Sequence, residues 1–330
     1  MPSLLSAPRP VLALALLLCG APAGGASGQW AETPHAKARL VSRWASAPRG
    51  GDAGLGLEFA LAPRWHVYWK NSGDAGFPPR FALAPDAALE SVALRFPAPR
   101  RFALPAGLVA FGYEGEVIYP LDARIPAGAP PSLALGGRLD YLVCAEECIP
   151  YQAELALELP VGEAAEDAAL APAVDLWRSR LPRPVTGERP PIRAVASSAR
   201  GEYPWSTLEL ELSAPGLAAV APDLFFAAQE RVELSRPEWV AAASGPRFRV
   251  RFRPLDETRP LPADFAVEWT ATGLELGGRP LALEGIAPLG SPPPRFRLSL
   301  PVIAALGLLV GAAAALLRRQ WMQARSGARP

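Results

Sequence analysis

The chain has 330 residues but few of the side chains that hold metals or carry imidazole chemistry, with two histidines, two methionines and three cysteines. Neither His35 nor His66 stands at metal-site spacing to a cysteine, so we expect no metal and no cofactor. Residues 192–290 contain no cysteine and no histidine, which excludes redox and imidazole chemistry there. The formal charge of +1 gives no reason to expect nucleic acid as a partner.

Two apolar segments near the ends of the chain predict export and membrane anchoring. Residues 1–28 have the features of a secretory signal peptide, with Arg9 as the only charge and a short apolar run at Val11–Leu18 followed by small residues. Leu298–Leu317 contains 20 residues without a charge, about the length that crosses a bilayer. The arginines of residues 318–330 place this tail in the cytoplasm. We therefore expect a single-pass protein of the inner membrane whose main body lies in the periplasm.

The charges divide between this anchor and the exported body. All 32 acidic residues lie within residues 29–294, whereas both flanks of the apolar segment and the tail are basic. The exported part therefore carries a net negative charge. Such a body argues against binding to nucleic acid or to anionic lipid.

Short runs that alternate apolar and polar residues predict two antiparallel β-sandwiches. Residues 29–162 hold the clearest run, Ala153–Leu159, in which three leucines share one face. Residues 163–191 break the pattern and indicate a helix interrupted near Pro172, followed by a proline-rich linker. Residues 192–290 return to alternation. The expected fold is mainly β, with two sandwiches and one C-terminal transmembrane helix.

Cysteine is the most informative residue type. Cys19 falls within the predicted signal peptide, which leaves Cys144 and Cys148 in the exported protein. Two cysteines four positions apart in an oxidising compartment are expected to form a disulfide. Because four residues of strand span roughly 13 Å and a disulfide needs its Cα atoms within about 7 Å, the chain must turn between them.

Three interpretations of this pair are open at this point. A loop this small gains little stability from a disulfide, so a redox-active pair is favoured over a structural bridge. A copper site formed by Cys144, Cys148 and His66 is the third interpretation. The carboxylates of Glu146 and Glu147 should raise the thiol pKa values of both cysteines. A strong oxidant needs a stabilised thiolate, so this pair is better suited to donate electrons to an oxidised partner.

Three segments together resemble the periplasmic N-terminal region of the DsbD/ScsB thiol:disulfide interchange family. They are Trp65–Gly76, Phe111–Val117 and Tyr141–Pro150, the last of which contains the cysteines. The resemblance implies immunoglobulin-like sandwiches, of which the first is a redox domain that takes electrons from a polytopic membrane protein. It also implies that these electrons pass to periplasmic thioredoxin-like proteins that serve disulfide isomerisation, cytochrome c maturation or copper tolerance.

The resemblance also implies roles for individual residues. The two cysteines would be the exchanging, catalytic pair, and an aromatic cap loop would shield them. Phe111 and Tyr113 are the candidates for this cap, with Tyr141 and Trp69 as supporting aromatic residues. The cysteine spacing is shorter than in the best-known members, and no polytopic or thioredoxin domain follows in this chain. Either the electron donor is therefore a separate membrane protein, or this chain is a truncated or split member of the family.

The sequence as a whole predicts one component of a protein-disulfide reductase. The alternative is a non-catalytic, membrane-anchored binding or assembly protein whose cysteines form a structural disulfide. A copper-binding module is the further alternative, and it predicts metal uptake by the reduced protein alone.

Overall fold

The computed structural model describes residues 26–84, 88–185, 193–200, 204–242, 245–256, 258–259 and 261–289. Most of the predicted signal peptide (1–28) lies outside these residues, as do the predicted membrane helix (298–317) and the predicted tail (318–330). Residues 186–191 of the predicted linker and residue 192 also lie outside them. No helix within the described ranges is long and apolar enough to cross a bilayer.

The first half of the chain consists mostly of strands, which confirms the prediction of a mainly β fold. In chain order the strands are β1 (Ala31–Glu32), β2 (Ala36–Ser42), β3 (Trp44–Pro48), β4 (Leu55–Leu61), β5 (His66–Gly73), β6 (Arg80–Leu83), β7 (Glu90–Leu94), β8 (Arg100–Ala103), β9 (Val109–Glu114), β10 (Glu116–Arg124), β11 (Ser132–Cys144), β12 (Cys148–Gly162) and β13 (Ala165–Glu166). One turn of 3₁₀ helix, Pro105–Gly107, joins β8 to β9.

These strands form two sheets, which we call the N-terminal sandwich. One sheet has the order β1-β2-β4-β10-β7, and the other has the order β13-β3-β12-β11-β5-β9-β8, with β6 paired to β11. Both sheets contribute to one large core. On β12, Leu155, Leu157 and Leu159 are buried in this core between exposed neighbours, as their alternation predicts. Each such leucine stabilises the fold by about 2 kcal/mol.

The larger of the two sheets also buries residues on its other side. Tyr68 on β5, Ala110 on β9, and Leu142 and Cys144 on β11 form a small cluster separate from the large core. Side chains alternate between the two faces of a strand, so these residues share the face turned away from the core. We call this the outer face of the sheet. One cysteine of the pair is therefore packed outside the main core.

A helix, α1 (Leu170–Ser179), follows the N-terminal sandwich and packs on β2 and β10. A carboxylate oxygen of Asp167 accepts hydrogen bonds of 2.9 Å from the amides of Ala169 and Leu170 and so starts the helix. Pro172 lies in the first turn, where its missing N–H costs no intrahelical hydrogen bond. The helix therefore runs uninterrupted through Pro172, contrary to the prediction from sequence.

The second half of the chain forms two further sheets, which we call the C-terminal sandwich. Its strands are β14 (Arg183–Pro184), β15 (Arg193–Arg200), β16 (Ser206–Ser213), β17 (Leu217–Phe226), β18 (Val232–Leu234), β19 (Glu238–Ala242), β20 (Gly245–Pro254), β21 (Ala266–Leu276) and β22 (Arg279–Pro288). One sheet has the order β14-β22-β21-β17, and the other has the order β15-β16-β20-β18, with β19 paired to β20. Leu210, Phe248 and Trp269 lie in the core between them.

The two sandwiches contact each other through β5, β8, β9 and β17. Two nitrogen atoms of Arg101 on β8 donate to the carboxylate of Asp223 on β17, each at 2.9 Å. Phe225, also on β17, is buried in the large core of the N-terminal sandwich, with its ring centroid 6.0 Å from that of Trp69 and 5.1 Å from that of Phe111. Strand β5 therefore contributes to the outer-face cluster and also packs against the C-terminal sandwich.

Candidate functional site

The cysteine pair closes the tip of the β11–β12 hairpin. Cys144 ends β11, Cys148 begins β12, and the two residues are paired directly across the hairpin. They form a disulfide with their Cα atoms 4.2 Å apart. The chain turns through residues 145–147, where the amide of Ala145 donates to the carbonyl of Glu147 at 3.0 Å. The turn that the cysteine spacing requires is therefore present.

The two sulfur atoms have different surroundings. Cys144 is 1% exposed and packs in the outer-face cluster, whereas Cys148 is exposed. The hydroxyl of Tyr68 donates to Cys144 Sγ at 2.7 Å and lies 3.7 Å from Cys148 Sγ. Cys148 is therefore the accessible residue of the pair, while Cys144 is enclosed and hydrogen-bonded from within the cluster.

A carboxylate and an imidazole are aligned with the disulfide across neighbouring strands. Glu114 on β9 is paired with His66 on β5. His66 is paired in turn with Cys144 on β11, whose other neighbour is Cys148 on β12. Directly paired residues of antiparallel strands project from the same face, with Cβ atoms about 4.5–5.5 Å apart. The order across the outer face is therefore carboxylate, imidazole, buried sulfur and exposed sulfur.

Aromatic side chains surround the imidazole in this line. The ring of Phe102 stacks on that of His66 with 5.1 Å between centroids, and the ring of Tyr68 meets His66 edge-on at 5.2 Å. Phe102 and Leu104 also pack on the outer-face cluster that contains Cys144. A cleft of about 710 Å³ opens beside them and is lined in part by His66, Phe102 and the turn at residues 145–147.

Burial determines the protonation of the groups beside Cys144. Desolvation raises the pKa of Tyr68 to about 12, so its hydroxyl remains a hydrogen-bond donor at physiological pH. Desolvation lowers the pKa of His66 below its ordinary value of 6.5, so the imidazole is neutral at pH 7. Among the residues that the structure describes, the buried Nε2 atom of His66 has no hydrogen-bond partner. This nitrogen is therefore uncommitted within the fold.

The mouth of the cleft carries charges of both signs. Glu146 and Glu147 lie in the exposed turn between the cysteines, and Glu114 also lines the cleft. Arg64, just before β5, comes within 3.9 Å of Glu146. Both side chains of this pair are exposed, so it contributes little stability. Three carboxylates and one guanidinium give the lining a net negative charge.

The two cap candidates and the two supporting aromatic residues of the prediction project from the opposite face of the sheet. Trp69, Tyr113 and Tyr141 are buried in the large core, and Phe111 packs against that core. The hydroxyl of Tyr113 donates to the carbonyl of Pro97 at 2.6 Å. The physical reason is strand alternation, because these four residues occupy odd-numbered positions on strands whose even-numbered positions share the outer face with Cys144.

Sequence reasoning missed side chains that pack in the cluster around Cys144, including Tyr68, Phe102 and Leu104. It considered His66 as a ligand in the copper-site interpretation. The positions of His66 and Tyr68 could have been predicted from the alternation within β5, because these two residues lie on one face and Trp69 lies on the other. Phe102 and Leu104 have no such signal, because their position depends on the pairing of β8 with β9.

Gly76 keeps Tyr68 in its position. Its φ of 90° is one that L-residues with a side chain rarely adopt. A Cβ atom at this residue would lie 2.2 Å from Cζ of Tyr68. The chain therefore crosses directly over the phenol ring, which holds the hydroxyl against the disulfide.

The described part of the chain contains no group of three or more His, Cys, Asp or Glu side chains placed to hold a metal ion. His35 stacks on Trp65, with 3.9 Å between ring centroids. His66 does lie beside Cys144 through strand pairing. The copper-site hypothesis remains a prediction.

A known family matches the N-terminal sandwich. Residues 37–160 match the family model described as thiol:disulfide interchange protein DsbD, N-terminal, which confirms the resemblance identified from sequence. Among curated proteins, none matches this sequence.

Solved structures extend the likeness in fold. The N-terminal periplasmic domain of ScsB from Proteus mirabilis is similar over 81% of this chain and 100% of that chain, with 20% sequence identity and a TM-score of 0.60. At this identity the likeness shows the fold, and it extends beyond the residues that the family model matches. The MSCRAMM ACE of Enterococcus faecalis, at 10% identity over 78% of this chain and 96% of that chain, has a TM-score of 0.18, too low to support a structural relationship.

Proposed function

Because residues 37–160 match the DsbD N-terminal family, we propose that this protein relays reducing equivalents through reversible exchange of its Cys144–Cys148 disulfide. The electrons come from a polytopic membrane protein, which is a separate chain, and pass to periplasmic thioredoxin-like proteins. The observation that carries the proposal is the position of the disulfide at a hairpin tip, outside the large core, with one sulfur exposed. A disulfide in this position can open without unpacking the sandwich.

Exchange begins at the exposed sulfur. In the reduced protein the thiolate of Cys148 attacks the partner's disulfide, so that a mixed disulfide forms and one partner sulfur leaves as a thiolate that takes up a proton. Cys144 then attacks Cys148 Sγ, which re-forms the internal disulfide and releases the second partner thiol. The partner gains two electrons and two protons, and the cysteine pair loses them. A dithiol of the membrane donor reloads the pair by the reverse steps.

The acidic mouth of the cleft favours this direction of electron flow. Negative charge from Glu146 and Glu147 disfavours a thiolate at Cys148. The reduced state is therefore not stabilised, and the pair acts as a reductant of its partners. The processes served are those of the family: disulfide isomerisation, cytochrome c maturation or copper tolerance.

The proposal also assigns each part of the chain to a compartment. The parts are a signal peptide (1–28), a redox domain (29–162), a connecting segment (163–191), a second sandwich domain (192–290), a membrane helix (298–317) and a cytoplasmic tail (318–330). The main body lies in the periplasm and is anchored in the inner membrane by Leu298–Leu317. The ScsB domain with the same fold is periplasmic, which supports export of this body.

The test is reduction of an oxidised thioredoxin-like protein by the full-length chain. We expect Cys148→Ser to abolish the reaction, because the entry sulfur is lost. We expect Cys144→Ser to stop at the mixed disulfide, which mass spectrometry detects as a covalent complex. The control Cys19→Ser should react like the parent. Turnover at the parent's rate by either Cys144→Ser or Cys148→Ser would disprove the proposed function.

A further inference from the structure

The second step of exchange requires a proton acceptor inside the outer-face cluster. Only the thiolate of Cys144 attacks, yet this residue is 1% exposed and surrounded by apolar side chains, which favour the protonated thiol. The hydroxyl of Tyr68 lies against the sulfur as a donor and keeps its own proton, because its pKa is about 12. Neither bulk water nor Tyr68 is therefore suited to remove the proton.

His66 occupies the position where such an acceptor is needed. It is the cross-strand partner of Cys144 on the same face of the sheet, which places the two Cβ atoms about 4.5–5.5 Å apart. The side chain is 3% exposed, and within the described ranges its Nε2 atom has no hydrogen-bond partner. Stacking on Phe102 and edge contact with Tyr68 hold the ring in this orientation.

We propose that His66 accepts the proton of the Cys144 thiol as this sulfur closes the disulfide. The inference rests on the exchange function proposed above. The S–H bond of Cys144 breaks as its proton moves to the imidazole and its sulfur attacks Cys148 Sγ. The bond between Cys148 and the partner breaks, and the partner sulfur leaves with the electron pair. The imidazolium returns the proton to this leaving thiolate or to water in the cleft, so that His66 ends neutral.

The charges around His66 favour its transient protonation. Glu114 is its partner on β9, and Glu146 and Glu147 line the same cleft. The cations are Arg64, before β5, and Arg100 on β8, and both are exposed. The other titratable groups beside His66 on this face are the Tyr68 hydroxyl and the thiols of Cys144 and Cys148, and Cys148 is bound to the partner sulfur during this step. Three carboxylates against two guanidiniums stabilise a positive imidazole relative to a neutral one.

The experiment separates the two sulfur steps in the full-length, reduced protein. The probe is one equivalent of dithiobis(nitrobenzoate), a symmetrical aromatic disulfide that releases a coloured thiolate at each step. The first release reports attack by Cys148, and the second reports closure by Cys144. Stopped-flow absorbance records both rates between neutral and alkaline pH.

We expect His66→Gln and His66→Phe to slow the second release about tenfold or more at pH 7 and to leave the first release unchanged. The phenylalanine variant keeps the ring that stacks on Phe102, and the glutamine variant keeps a polar group. The deficit should shrink as the pH rises beyond about 8.5, the usual pKa of a thiol, because more of the buried Cys144 thiol then ionises without a base. His35→Gln is the matched control and should leave both rates at the parent's values.

Two results would overturn the inference. One is a second release at the parent's rate and pH dependence in both His66 variants, with the first release also intact. The other is equal slowing of both releases, because a proton acceptor for Cys144 affects only closure. A parent protein that reacts once and never closes would instead contradict the proposed function itself.

Discussion

The two sandwiches share alternating strands and a closed core but differ in the face that each turns away from its core. In the N-terminal sandwich this face carries an apolar cluster that contains Tyr68 and Cys144. In the C-terminal sandwich the corresponding face of β16 and β20 carries ion pairs, including Arg249 with Glu209 at 2.9 Å. Residues 192–290 also have no cysteine or histidine. The face of a sheet that is turned away from the core can thus carry either solvated ion pairs or a reactive site.

The comparison also suggests a division of work. The disulfide belongs to the N-terminal sandwich. On the opposite side of its sheet, Phe225 of the C-terminal sandwich packs on β5 and β9, and Asp223 accepts hydrogen bonds from β8. Strand β8 carries both Arg101, which binds Asp223, and Phe102, which packs at the disulfide. The C-terminal sandwich therefore supports the strands that position the site.

Removing Phe225 should have the largest effect on this arrangement. We expect Phe225→Ala to cost about 3–5 kcal/mol of stability, because a buried ring is lost from the N-terminal core. Hydrogen exchange of the β5 amides should become faster. Phe248→Ala, equally buried in the C-terminal core, should cost a similar amount but leave β5 exchange unchanged. Identical β5 exchange in the Phe225→Ala variant and the parent would refute this account of the contact.

Removing Arg101 should have the next largest effect. The side chain is 12% exposed and makes two hydrogen bonds to a carboxylate that is 30% exposed, so Arg101→Ala should cost about 2 kcal/mol. Arg249→Ala is the matched surface change, because both partners of that ion pair are more than a third exposed, and it should cost less than about 1 kcal/mol. Urea unfolding measures both, and equal losses would mean that the Arg101 pair is an ordinary surface contact.

A substitution at Gly76 should act on the disulfide itself. We expect Gly76→Ala to cost about 1–3 kcal/mol through its backbone conformation and to displace Tyr68, which the added methyl group would strike. Dithiothreitol should then reduce the disulfide faster than in the parent. Gly216→Ala, at φ +77° with no atom within 4 Å of its new Cβ, should show the backbone cost alone. Equal reduction rates in both variants would show that Tyr68 does not shield the pair.

The pH dependence of stability should show the smallest effect. Burial lowers the pKa of His66 in the folded state, so below about pH 6.5 the unfolded chain binds the proton more tightly. This contribution to stability is present above that pH and is lost as the pH falls, with a slope of at most about 1.4 kcal/mol per pH unit. His66→Phe should reduce the slope as the pH falls below about 6.5, and His35→Gln should keep it. If the stability of His66→Phe had the same pH slope as that of the parent, the imidazole of His66 would not be buried in its neutral form.

Local patterns in the sequence predict the strands, the cysteine pair and the turn between the cysteines. The Leu155–Leu159 face and the hairpin tip follow from spacing alone. The cap candidates Phe111 and Tyr113 come from the resemblance without a count of faces along the strand, and both lie on the core side of the sheet. Odd and even positions of one strand lie on opposite sides of a sheet.

The pairing of His66 with Cys144 lies beyond such patterns. It depends on the register between β5 and β11, whose paired residues are 76 or more positions apart. The contact between Phe225 and the N-terminal core has the same origin, because nothing local to β17 indicates a ring that enters another sandwich. Strand order and register arise from the packing of the whole chain.

An equilibrium redox titration of the full-length protein tests the central claim most directly. The protein is equilibrated with dithiol and disulfide buffers, and the Cys144–Cys148 pair is scored by thiol alkylation and mass. The relay predicts a pair that equilibrates readily with a thioredoxin-like dithiol, at a potential above roughly −300 mV. A potential far below that value, with a disulfide inert to thioredoxin-like dithiols, would identify a structural bridge and contradict the relay.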